Sequence, residues 1–107
     1  MGSSISISVS TSHPIGGEEV NFSLEYEYDK KEDEELRFEI RAARDGELPY
    51  LSRVLDHIIR RVSISFTCPH YSCDLVTRIY LADRKSSAVL KVEDIIKVHL
   101  KYNNTSD

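Results

Sequence analysis

ELPYLSRVLDHIIRR, residues 47–61, is the stretch on which the fold turns. Leu48, Leu51, Val54, Leu55 and Ile58, with Val62 just beyond, recur at spacings of three and four, which is the stripe of an amphipathic helix. Pro49 suits a first helical turn. Ser52, Arg53, Asp56, His57, Arg60 and Arg61 fill the opposite face, with two arginines near the end where the helix dipole is negative. The spacing predicts one long helix over 47–61, set between segments of a different period.

Those flanking segments alternate. Ser4 to Ser10 places Ile5, Ile7 and Val9 on one side and serines on the other. After the turn-prone His13-Pro14-Ile15-Gly16-Gly17, the run Val20–Asp29 sets Val20, Phe22, Leu24, Tyr26 and Tyr28 against Asn21, Ser23, Glu25, Glu27 and Asp29. A charged loop over 30–35 leads to Leu36, Phe38, Ile40 and Ala42, alternating with Arg37, Glu39 and Arg41, and the two runs are expected to pair as a hairpin. Beyond the helix, Val62, Ile64, Phe66 and Cys68, then Leu75, Thr77, Ile79 and Leu81, predict a second hairpin. A polar turn at 83–87, a short connector at 88–93 and a strand over 95–102, with Ile96, Val98, Leu100 and Tyr102 inward, complete the chain.

The expected fold class is α+β: a mostly antiparallel sheet of about six strands with one long helix, in the order β-ββ-α-ββ-β. With the first strand set aside, that order resembles ubiquitin-like β-grasp folds in topology alone, and topology does not fix function. Six strands at ~4.8 Å span ~24 Å, whereas a helix ~10 Å wide covers roughly two of them. The remaining apolar face must be covered by curling, by partial closure or by another chain. The Ser4–Ser10 strand, whose outward serines carry no charge, is the expected edge for an incoming strand.

Register follows from charge and parity. In the first hairpin, Asp29 opposite Arg37 places Glu25 opposite Arg41 and Glu27 opposite Glu39. Such exposed pairs contribute about 0–1 kcal/mol, so they specify pairing more than stability. Glu25, Glu27 and Asp29 would otherwise form an acidic docking stripe. In the second hairpin, a Pro69-His70-Tyr71-Ser72 loop sets Cys68 opposite Cys73, Phe66 opposite Leu75 and Ile64 opposite Thr77. FTCPHYSC (66–73) thus reads as a hairpin end with two packed thiols rather than a disulfide.

Length and composition bound the function. The 107 residues, 40% hydrophobic and 30% charged, make one domain, with 1–3 expected as a tag remnant or disordered and 103–107 as a disordered tail. Lys and Arg total 14 against 18 Asp and Glu, a net charge of −4 that argues against a large nucleic-acid footprint. No apolar run approaches the ~20 residues of a membrane span and no signal peptide opens the chain, so no membrane association and a cytoplasmic or nuclear location are expected. The sequons at Asn21, Asn103 and Asn104 matter only in a secreted protein. Cys68-x4-Cys73 supplies half a zinc site, and His57 and His99 fall on polar faces, so no metal or other cofactor is expected. His70 beside Pro69 lacks an orienting group, Asp74 being the one adjacent acid, and Gly16-Gly17 and Asp45-Gly46 are turns rather than phosphate loops.

A non-catalytic protein-interaction subunit or adaptor is expected, associating through an incompletely covered sheet face or edge strand with a protein partner or a second copy. Ile5, Ile7 and Val9 on the edge strand, and Arg53, His57, Arg60 and Arg61 on the helix, are the candidate partner-binding residues. The alternative is a small nucleic-acid-binding module using Arg53, Arg60, Arg61, Arg78, Arg84, Lys85, Lys97 and Lys101, with Tyr50, Tyr71 and Tyr80 for stacking.

Overall fold

The computed structural model describes residues 4–28, 31–43, 48–55, 60–70 and 74–101. Within them lie seven strands: β1 (Ser4–Val9), β2 (Glu19–Glu27), β3 (Glu34–Ala42), β4 (Leu51–Leu55), β5 (Arg61–Thr67), β6 (Leu75–Asp83) and β7 (Val89–Val98). They form two antiparallel sheets, ordered β1-β2-β5 and β4-β3-β6-β7. Alternation produces the buried faces directly. Val20, Phe22, Leu24 and Tyr26 of β2 point in while Glu19, Asn21, Ser23, Glu25 and Glu27 point to solvent. Leu36, Phe38 and Ile40 of β3 and Leu75, Thr77 and Ile79 of β6 line the facing sheet and are fully buried.

The two inner faces meet in one core. The rings of Phe22 and Phe38 lie 5.8 Å apart across the layers, and Ile7, Leu24 and Ile64 share a cluster with Leu36, Ile40, Ile79 and Val98. Burying each such side chain contributes about 1.5–3 kcal/mol. Because β2 to β3, β4 to β5 and β5 to β6 all change sheet, the connections are Greek-key, as in immunoglobulin-like sandwiches, with the fourth strand on the larger sheet.

Among the described residues, the predicted helix over 47–61 is absent. Residues 51–55 form β4 and Arg61 opens β5, while 44–47 and 56–59, including His57 and Ile58, lie outside the described residues. Leu48 is 88% exposed and Val54 58%, so the apparent stripe is not a buried face. Leu51 and Leu55 do face inward, and a separation of four satisfies a strand's period of two as well as a helix turn. Among the described residues the fold is therefore all-β rather than α+β, and the β-grasp expectation fails with the helix. The area problem goes with it, because each sheet's apolar face is covered by the other sheet.

Both predicted hairpins are also corrected. β2 and β3 belong to different sheets, so Glu25 lies opposite Arg61 rather than Arg41, and Glu39 opposite Arg78 rather than Glu27. Asp29, the remaining member of that register, lies outside the described residues. β5 pairs with β2, not β6: Phe66 lies opposite Val20, and Ile64 opposite Phe22. Leu75 sits between Ala42 and Val98, and Thr77 between Ile40 and Ile96. The Cys68–Cys73 pairing thus loses its hairpin, and Cys73 and Tyr71 lie outside the described residues, as do 1–3, 102 and 103–107. The turn after β6 and the inward Ile96, Val98 and Leu100 match expectation, but the connector at 88–93 is part of β7.

One seam closes the sandwich. Beyond β1 the chain crosses to the larger sheet, where the N–H of His99 donates to Ser12 O (2.8 Å), that of Lys101 to Pro14 O (2.8 Å) and that of Gly16 to Lys101 O (3.0 Å). Ile15 and Lys101 form a parallel bridge there. Upstream, the Ile7 N–H donates to Asp94 Oδ2 at 2.9 Å, joining the edge of β1 to β7.

Candidate interaction surface

Cross-strand neighbours share a face, so the registers assign the outer surface of the larger sheet row by row. Val54, Arg37, Tyr80 and Val92 form one row, and Ser52, Glu39, Arg78 and Ile95 the next. Glu35, Ala82 and Val89 flank them on one side, and Arg41, Val76 and Lys97 on the other. β3 alternates Glu35, Arg37, Glu39 and Arg41 along its outward side, so each charge has a complement within reach.

These long side chains pave the middle of the face. Glu39 accepts from the Arg78 guanidinium, lies 3.6 Å from Arg41 Nε and is only 4% exposed. The Arg37 Nε donates to Glu35 Oε2 at 2.6 Å and its Nη2 to Ser87 Oγ at 3.1 Å. Burial opposes the charge on Arg37, but the hydrogen bond and charge of Glu35, reinforced by Tyr80, raise the guanidinium above its ordinary value. Arg78 stacks over the Tyr80 ring at 4.6 Å. Tyr80 and Ala82 are consequently buried although they lie on the outer side. Around this paved centre, Val54 on β4 and Val89, Val92 and Ile95 on β7 stay exposed. The outer face of the smaller sheet is different: among the described residues it exposes the small polar Ser6, Ser8, Ser10, Asn21, Ser23, Ser63, Ser65 and Thr67 together with the charged Glu19, Glu25, Glu27 and Arg61, and no aliphatic.

The residues singled out from the sequence are scattered. Ile7 is buried in the core, with Ile5 and Val9 packed against it, so β1 offers its serines to solvent. Arg60 lies 3.7 Å from Glu27 and Arg61 3.3 Å from Glu25, on the smaller sheet. Arg53 stands exposed on β4, next to Phe38 of β3. Lys97 lies on the outer face of the larger sheet, Arg84 and Lys85 at the β6–β7 turn, and Lys101 beside Ile15 at the opposite end. The eight basic residues therefore do not gather on one face. Val89 and Val92 fall in the stretch read from the sequence as a short connector, and Ile95 on the outward side of the expected 95–102 strand, where only the inward positions are singled out.

Burial, aided by the negative charge of Glu18, raises the Cys68 thiol above its ordinary value and keeps it protonated, the opposite of an activated nucleophile. Its backbone is fixed to the Gly17–Glu18 turn by paired hydrogen bonds, and the His70 ring packs over Gly17, where a Cβ would come within 2.6 Å of the imidazole and φ is +88°. His99 stacks on His13 with centroids 5.3 Å apart, and its Nδ1 lies 3.2 Å from Asp74 Oδ2. Among the described residues no group of three or more His, Cys, Asp or Glu could hold a metal ion, and no helix is long and apolar enough to cross a membrane. One surface depression is lined by Ser23, Leu24, Glu25, Arg61, Val62 and Ser63, with the Glu25 carboxylate 3.3 Å from Arg61 Nε, and another by Glu32, Asp33, Arg84 and Lys85.

The fold and surface define a small Greek-key β-sandwich with one mixed apolar and basic sheet face. Compared with protein-family models and with curated proteins, the chain matches none.

Proposed function

We propose that the chain is a non-catalytic protein-interaction domain, acting in the cytoplasm or nucleus, that docks a partner on the outer face of the larger sheet. The observation that carries this reading is the set of exposed aliphatics there: Val54, Val89, Val92 and Ile95 share one face, against a smaller sheet whose outer face is lined by hydroxyls and charges. Arg37, Arg41, Arg78 and Lys97 outnumber Glu35 and Glu39 on that face, in a chain that is acidic overall. The complementary partner is a protein segment with apolar and acidic side chains. Val92 and Ile95 would bury against its apolar residues, while Lys97, exposed on the same face, would pair with a carboxylate.

The test is quantitative capture of cellular proteins by the parent chain and by the Val92→Glu/Ile95→Glu variant. Both sites are exposed, so the variant keeps the fold, and it should lose the bound protein by about tenfold or more. Equal recovery of the same proteins would remove the basis for this surface. Salt-sensitive affinity for RNA or DNA in its place would favour the nucleic-acid reading.

A further inference from the structure

Four strand edges bound the two sheets, and three carry devices that discourage an incoming strand. On β1, the outward Ile7 N–H is taken by Asp94. On β7, two register irregularities, the inward Asp94 and the Lys91–Glu93 ion pair at 3.2 Å interrupt the edge. β4 is only five residues long and presents Arg53. β5 differs: beyond Arg61 at its first position, Val62-Ser63-Ile64-Ser65-Phe66-Thr67 has no charge, proline or register irregularity.

Its parity is fixed. The Tyr26 N–H donates to Arg60 O and the Cys68 N–H to Glu18 O, so the even-numbered residues of β5 bond to β2. The backbone groups of Arg61, Ser63, Ser65 and Thr67 point away from the sheet, and among the described residues no partner strand meets them. Val62 and Phe66 face the core yet remain half-exposed on this side, while Ile64 between them is buried.

We infer that β5 is a self-association edge at which a second copy of the chain adds its own β5, antiparallel, to make a continuous six-stranded sheet. The sequence is complementary to itself about a two-fold axis through Ile64. Ile64 then lies opposite its counterpart, Ser63 opposite Ser65, Val62 opposite Phe66 and Arg61 opposite Thr67, over the full length of the strand. The outward backbone groups of the odd-numbered residues meet one another as hydrogen-bonded pairs. No like charges are opposed, because the two Arg61 side chains sit about 20 Å apart at opposite ends of the seam. Val62 and Phe66 lose their remaining exposure. The partner-docking face on the larger sheet stays open in both copies, so this dimer is independent of the surface proposed above.

Sedimentation of the full chain over a dilution series tests it. The expected result is a monomer–dimer equilibrium. Ser63→Lys/Ser65→Lys sets lysines opposite lysines twice and should weaken association by about tenfold or more, as should Ser63→Glu/Ser65→Glu. Circular dichroism should show the parent spectrum for both, since these side chains are exposed. Mixing the two variants should restore a dimer, which a merely misfolded pair cannot do. Val92→Glu/Ile95→Glu should leave the equilibrium unchanged. A parent chain that stays monomeric at every concentration, or a mixture that does not re-associate, overturns the inference.

Discussion

Thr77 shows how one side chain can be placed correctly and still be costly. Parity puts it on the inner side of β6, and it is fully buried there between Ile40 and Ile96. Its Oγ1 has no hydrogen-bond partner among the described residues. A buried unsatisfied hydroxyl costs about 1–3 kcal/mol. Thr77→Val keeps the branched shape and removes the polar atom, so it should stabilise the fold by about 1 kcal/mol, read as a higher urea midpoint at an unchanged slope. A lower midpoint would mean that the hydroxyl is satisfied. Cys68 was legible in the same way, since strand parity assigned it to the core. What parity could not supply was the strand beside it, so the disulfide question was framed around a hairpin that does not exist.

At the scale of elements, alternation was readable wherever a strand is long and has one wet face, as in β2, and it failed at β4. A five-residue edge strand offers only Leu51 and Leu55 as inward apolar positions, too few to outweigh the accidental spacing with Leu48, Val54 and Val62. β7 was obscured differently: its register irregularities break the period of two over 89–94, so no single alternation runs through it. The turn between β6 and β7 was legible from its polar residues, and its chemistry gives a pH prediction. Asp83 Oδ1 accepts the N–H groups of Lys85 and Ser86, each at 2.9 Å, and the Ser86 and Lys85 backbone bonds lower its carboxyl below the ordinary value. A folded pKa below the unfolded one stabilises the fold above the unfolded value of about 3.9, and that contribution is lost as pH falls through the folded value. The Lys85 and Ser86 amide resonances should therefore shift together in that acid range, whereas in Asp83→Asn, whose side-chain oxygen still accepts, they should not titrate with this group. Persistence of the same transition in Asp83→Asn would assign it to another carboxyl.

At the scale of the whole molecule, the missing information was which strands meet. Periodicity reports the face of each residue but not its partner, and sequence neighbours were assumed to pair where the chain instead crosses between sheets. That crossing leaves a seam that a single side chain helps to close. Asp94 faces inward opposite Ile79 at the edge of the larger sheet, with Oδ2 accepting the Ile7 N–H of the smaller sheet and Oδ1 the N–H of Ile95, each at 2.9 Å. It thereby holds the two sheets together and occupies the edge of β1 at once. Asp94→Ala should cost about 1.5–3 kcal/mol, the range for a hydrogen bond to a charged acceptor, and should speed hydrogen exchange at the Ile7 amide while leaving that of Ile64, deep in the core, protected until global unfolding. Asp94→Asn, which retains an acceptor, should recover much of the loss. Because the Ile7 N–H is then open to another chain, Asp94→Ala should also associate more strongly than the parent in light scattering. Unchanged exchange at Ile7 would show that the seam is held by the 12–16 and 99–101 backbone pairing alone.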